Sequence, residues 1–282
     1  LKSRLKGIYY RLNAPQPPKQ SLALAYCFHT EQVYDAALFQ QLLRFCQDYQ
    51  GLTGARPLCT LMSGANPRVQ QGMAQHGVDD TELAARFRQL ADYATLGYHG
   101  HFWLGPGGHT REAANCQGAC YNLPYITECM AADLAWFRDH QVQIGPYYVG
   151  GWWFMVPGVY RLLAQHGFTC DASQSPSPWY YNLWTAAFRQ QHQLQTAEPA
   201  WLQMAEGELL ALPNLTGCHT TPFAQDFLRH LAGHMQHQQQ PGFATVNSHD
   251  YDLHPQHTLR AIAHSQQTGW ASWHSIETLQ QA

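Results

Sequence analysis

Charge is what this sequence has least of. Asp, Glu, Lys and Arg make up 12% of its 282 residues, about half the usual share. The 16 Lys+Arg against 19 Asp+Glu leave a net charge of -3. A general nucleic-acid binder needs a basic footprint to displace counterions from phosphates, so that class is excluded. No apolar run approaches the roughly 18 residues a membrane-crossing helix needs, and no signal-peptide apolar region is visible. A disulfide framework is missing too. Of the eight cysteines, Cys27, Cys46, Cys59, Cys129, Cys170 and Cys218 mostly sit in apolar segments, where a free thiol behaves as a small hydrophobe. They are read as reduced, which places the protein in the cytoplasm. Cys116 and Cys120 are separated by three residues and lack the tight two-residue knuckle of a structural zinc site.

Histidine and aromatic rings supply what charge does not: there are 17 His, and Phe, Tyr and Trp reach 13%. Residues 1–20 form a basic lead-in, with Lys2, Arg4, Lys6 and Arg11 interleaved with Leu5, Ile8 and Tyr9. Such a stretch could touch a membrane surface or a partner. The rest, 21–282, reads as a single catalytic domain with no linker long enough to split it and no internal repeat.

Along the chain, apolar runs alternate with helical periodicity. Strands are expected at Leu22 to Phe28, Pro57 to Met62, Thr95 to Tyr98, Gln143 to Val149, Phe168 to Asp171, Glu208 to Leu212, Phe243 to Asn247 and Trp270 to Trp273. Between them, Asp35 caps a helix carrying Leu38, Leu42, Phe45 and Tyr49, and Asp80 or Thr81 opens another with Leu83, Phe87 and Leu90 on one face. Ile126, Met130, Leu134 and Phe137 mark a third, and Pro157 and Gly167 bracket a fourth. Two more are expected between Ala224 and Met235 and between Pro255 and His264. This alternation predicts βα units around a parallel sheet, and seven or eight of them predict a distorted, closed or nearly closed (β/α) barrel.

In such a barrel the chemistry gathers where strands end. The first strand ends in Phe28-His29-Thr30-Glu31. The third ends in Gly97-Tyr98-His99-Gly100-His101-Phe102-Trp103, the fourth in Tyr147-Tyr148-Val149-Gly150-Gly151-Trp152, and a late one in Asn247-Ser248-His249-Asp250. Three of these four ends carry histidine, and a carboxylate accompanies the first. That is the composition of a shared metal or acid–base site; a polar rim of satisfied histidines is the plainer alternative.

At these residues the sequence resembles the polysaccharide deacetylase family, the NodB-like carbohydrate esterases, in an order that fits along nearly the whole chain. The passage Leu162 to Ser173, with its helix, Gly167-Phe168, strand and Asp171-Ala172-Ser173, is similar to the family's as well. The Gly150-Gly151-Trp152 form is similar to members from surface-polysaccharide and O-antigen clusters. The resemblance implies a divalent metal, zinc given the imidazole content, held by Glu31, His99 and His101. It implies catalytic roles for His29, His249 and Tyr148, and an N-acetylated sugar as substrate. Asp171 or Asp250 would orient a histidine or line the substrate site.

The departures are as informative. His29 stands where the family has its Asp base, Trp103 where it has its second metal-binding histidine, and Tyr148 where it has the Arg that pairs with the base. Losing Asp and Arg together is charge-consistent, because removing one alone would strand its partner. The pattern fits a rewired site or a retired one, the latter being a deacetylase-fold protein that binds glycan or a biosynthetic partner. Deacetylation of generic chitin oligomers is expected to be weak or absent. An amidohydrolase-type barrel is a third reading, ranked last because the His-x-His pair lies on the third strand and not the first. Trp103, Trp152 and Trp179 are candidates for a glycan groove, since flat rings suit the apolar faces of sugars; loop cores are the equal alternative. His230, His234 and His237 are read as a solvated helical face.

Overall fold

The computed structural model describes residues 21–102, 123–153, 155, 157–174, 199–215, 227–229, 231–232 and 242–280. The chain runs through β1 (Leu22–Thr30), α1 (Ala36–Thr53), β2 (Leu58–Leu61), α2 (Pro67–His76), α3 (Asp80–Leu90) and β3 (Thr95–Gly100). It continues with α4 (Leu123–Asp139), β4 (Tyr147–Gly150), α5 (Pro157–Gln165), β5 (Cys170–Gln174), β6 (Ala200–Met204) and β7 (Gly207–Leu215). β8 (Phe243–His249), α6 (Pro255–Gln267), β9 (Ala271–Trp273) and α7 (Ile276–Gln280) complete it. Among the described residues no helix is long and apolar enough to cross a membrane.

Seven parallel strands close on themselves in the order β1-β2-β3-β4-β5-β7-β8 and back to β1. Two features distort the ring. β9 pairs with Leu22 to Leu24 of β1, ahead of the stretch from Cys27 to Thr30 that pairs with β2. β6 runs antiparallel to β7 in a hairpin, an element the sequence reading did not expect. Gly207 ends its turn at φ 149°, a conformation open to glycine and strained for other residues.

Local chemistry accounts for the helix boundaries. Asp35 accepts the amides of Ala37 and Leu38 at the start of α1, and Gly54 ends it at φ 74°. α2 has no counterpart among the expected helices, although its signals are present: Asn66 caps it, Pro67 fills its first turn and Gly77 ends it at φ 66°. β4 begins later than the Gln143 expected, because Gly145 and Pro146 hold an irregular approach in which the Gly145 amide donates to Leu96 O at 2.8 Å.

Strand alternation sorts side chains to two sides of the wall. The inner cluster is narrow and contains small residues, among them Ala25, Cys27, Cys170 and Ala172, with Val149, Leu210 and Leu212. The outer one lies between strands and helices and holds Tyr26, Phe28, Tyr98, Tyr148 and Phe168. The period of two therefore carries Ala25 and Cys27 forward to His29 and Glu31 on the inner side, at the barrel mouth.

Candidate metal and acid–base site

Five of the expected residues converge at the C-terminal ends of β1, β3 and β8. Oε1 of Glu31 lies 3.3 Å from Nε2 of His101, 3.5 Å from Nε2 of His99 and 3.9 Å from Nε2 of His249. Glu31, His99 and His101 are buried and offer one ligand atom each within 4.8 Å of one another. His29 stands beside them, its ring centroid 4.6 Å from that of His99 and 5.0 Å from that of His249.

The hydrogen bonds around these rings fix their roles. Nδ1 of His99 is 2.9 Å from Val149 O, and a carbonyl can only accept, so the neutral ring carries its proton on Nδ1. Its Nε2 then presents a lone pair toward the Glu31 carboxylate, buried and without a hydrogen-bond partner. Two acceptors facing each other in a buried site need a cation between them. A proton fits poorly, since burial pushes His99 down to about 4. Burial also acts to raise Glu31, but the imidazoles of His101 and His99 outweigh it and hold the carboxyl well below the usual range. A divalent ion satisfies all three donors and keeps its ligands deprotonated. The residues present fit a metal.

Neighbouring elements hold each ligand in place. The amides of Glu31 and Gln32 donate to Asp250 at 3.2 and 2.7 Å, locking the chain after β1. Nδ2 of Asn66 donates to His101 O at 3.1 Å. The His101 ring lies on Gly151, where an added Cβ would come within 2.3 Å of it. Asp171 accepts from the amide and hydroxyl of Ser173 and from the Tyr160 hydroxyl, and Ser173 in turn accepts the Gly150 amide at 2.7 Å. The β4 end that carries Gly151 is thereby braced against β5.

Three expectations are corrected by this geometry. Tyr148 registers beside Tyr98 and Asp171 and faces the outer layer, with its hydroxyl against Gly100 and Phe168 nearby. One strand position separates it from the inner side, so it does not stand by His29. Asp171 and Asp250 are buried, and their oxygens are engaged by the groups just described, so neither meets a substrate. Nor does either orient a histidine. That part falls to Asp252, whose carboxylate takes the His249 amide at 2.9 Å and faces Nδ1 of the same ring at 3.1 Å. Trp103, Trp179, Cys116, Cys120, His230, His234 and His237 lie outside the described residues, as does the Trp152 side chain.

Three residues of the site have no place among the sequence expectations. Asp252 follows His249 at three residues, a spacing that could have been noticed. Arg68, at the start of α2, reaches Oε2 of Glu31 at 3.6 Å and leaves Oε1 to the imidazoles; it escaped with its helix. Tyr251 stacks on His249. Trp153, which belongs to the same aromatic run after β4 as Trp152, sits edge-on to His29 at 4.5 Å with φ 56°, a left-handed conformation that costs a bulky residue on the order of 1–3 kcal/mol and is seen mostly at functional sites.

Burial raises Asp171 from 3.8 to about 7. A carboxyl raised in the folded state contributes stability below its unfolded pKa and loses it as pH climbs through the folded one. Asp171→Asn should therefore gain on the wild type between pH 4 and 8, by on the order of 4 kcal/mol at full ionisation. Thermal melts across that range test this, and parallel curves would contradict it.

No family model matches the sequence, and no curated protein matches it. Solved structures do. A candidate polysaccharide deacetylase from Mycobacterium smegmatis superposes with a TM-score of 0.56 at 12% identity, covering 95% of this chain and 93% of its own. The fold is that of a polysaccharide-deacetylase barrel. A family 4 carbohydrate esterase from Streptomyces lividans (TM-score 0.44, 11% identity, 89% and 88% covered) is also similar. So is the catalytic domain of a peptidoglycan N-acetylglucosamine deacetylase from Eubacterium rectale (0.44, 10%, 94% and 93%). At these identities the likeness concerns the barrel, and the site has to be argued from its own residues.

Proposed function

We propose that this protein is a metal-dependent deacetylase acting on N-acetylated sugars of a surface polysaccharide or its precursor, with zinc held by Glu31, His99 and His101. The observation that carries this reading is the buried Nε2 lone pair of His99 directed at the Glu31 carboxylate, an arrangement a divalent cation resolves. When bound, the metal polarises the acetamide carbonyl and acidifies the attacking water. The rest belongs to this chain. His29 is buried, its pKa depressed by burial and by the neighbouring His99 and His249, so its imidazole stays neutral with a ring nitrogen able to take the water's proton. His249 keeps Nδ1 on Asp252 and turns Nε2 toward the site, where it gives a proton to the leaving amine as the C–N bond breaks. Water and acetamide become acetate and a free amine, and His29 and His249 return to their starting states through solvent.

A specific feature favours the second reading, a glycan-binding protein whose chemistry has lapsed: His29 occupies the base position with the Trp153 ring pressed against it. For either reading we propose a reducing, cytoplasmic setting, as expected from the sequence.

Acetate release from a panel of N-acetylated sugars, with zinc supplied, separates the two. The deacetylase reading expects measurable turnover, weak on chitin oligomers, and a fall of about 10²–10⁴-fold in His249→Ala. No release from any sugar, or release unaffected by the variant, would overturn it.

A further inference from the structure

We propose that Tyr251 is a sugar-binding platform at the barrel mouth, on which the apolar face of a pyranose ring lies. The inference deepens the deacetylase reading by placing a subsite beside its acid–base histidine. Tyr251 lies in the connection between β8 and α6, two residues beyond His249. Its ring stacks on the His249 imidazole with centroids 4.8 Å apart and planes 24° apart. It is nevertheless 40% exposed, one of few large apolar side chains to be so among the described residues, while Tyr26, Tyr98 and Tyr148 are fully buried. One face is covered by the imidazole, so the exposure falls on the opposite face and the rim.

A flat, pre-positioned aromatic face next to a polar pocket is the surface that suits the C–H face of a sugar while leaving hydroxyls to solvent and polar neighbours. The phenol supplies that polarity. Burial and the carboxylates of Glu31, Asp252 and Asp250 keep it protonated, so it is available as a donor, and Arg68 is within electrostatic range of it. Trp153 stands against His29 and Tyr251 against His249, so the two rings flank the pair from the connections that follow β4 and β8. A sugar resting on Tyr251 is thereby brought next to Nε2 of His249, the atom that must meet the leaving amine.

Titration calorimetry with N,N′,N″-triacetylchitotriose and with fully deacetylated chitotriose tests this. Tyr251→Ala and Tyr251→Leu, both confirmed folded by thermal melts, should weaken both sugars about three- to tenfold, the Leu variant showing that apolarity without a flat face is not enough. Tyr251→Phe should bind within about twofold of wild type, because the ring remains. Unchanged affinity in the Ala variant, or no binding of either sugar by the wild type, would overturn the platform. A ring that only clamps His249 would alter the pH profile of acetate release and leave sugar affinity alone, which also overturns it. The chitotriose arm needs neither metal nor turnover, so loss of the deacetylase reading alone would leave this result standing.

Discussion

Protein purified without chelator or affinity tag is expected to carry about one zinc per chain, and Glu31→Ala/His99→Ala to carry close to none. The reason is the donor set. Removing Glu31 takes away the carboxylate whose oxygen lies within 3.3 to 3.9 Å of all three Nε2 atoms. Removing His99 takes away the ring whose proton is already committed to Val149. His29, His101 and His249 remain, but without the shared carboxylate and the oriented His99 ring they make a weaker site for a divalent ion at micromolar concentrations. Elemental analysis, followed by competition against a chromophoric chelator, measures the effect. Near-stoichiometric zinc in the double variant would remove Glu31 and His99 from the ligand set. A wild type that refuses added zinc would favour the glycan-binding reading.

The second large effect concerns the pair that a deacetylase would be expected to have. Rebuilding it as His29→Asp with Tyr148→Arg should not raise activity above that of the wild type, and Tyr148→Arg should destabilise the fold by about 3–5 kcal/mol. Tyr148 is fully buried on the outer side of β4, 5.5 Å from Tyr98 and 6.3 Å from Phe168 by ring centroids. A guanidinium there has a wall of the barrel between it and position 29, and would be an unpaired charge in an aromatic layer. His29→Asp alone would add a second carboxylate close to Glu31 and raise the pKa of one of them. Denaturant melts and acetate release report both outcomes. A stable double variant with faster turnover would mean that Tyr148 faces the mouth and that the catalytic apparatus has simply lapsed.

The chain order of strands and helices was legible in the sequence because it rests on local rules. Periodicity marked most of the elements, Asp35 and Gly167 marked helix ends, and histidines at strand ends marked the mouth where the site would lie. Period-two alternation also carried His29 and Glu31 to the same side. It could have excluded Tyr148 once β4 was registered, but registration is a relation between strands: Tyr98↔Tyr148 and Tyr148↔Asp171 are set by which neighbours pair and where, not by the sequence of β4 alone. The β6–β7 hairpin escaped for the same reason, since it depends on an edge of β7 left open ahead of its pairing with β8. Barrel closure was what decided the rest. It set Glu31 beside His99 and His101, brought Arg68 from α2 to Oε2 of Glu31, and turned Asp250 inward to lock the backbone while Asp252 took the histidine. Residue type and spacing name the groups able to do chemistry; only the packing of distant segments determines which of their atoms face one another, because those distances are fixed by contacts between strands and not along the chain.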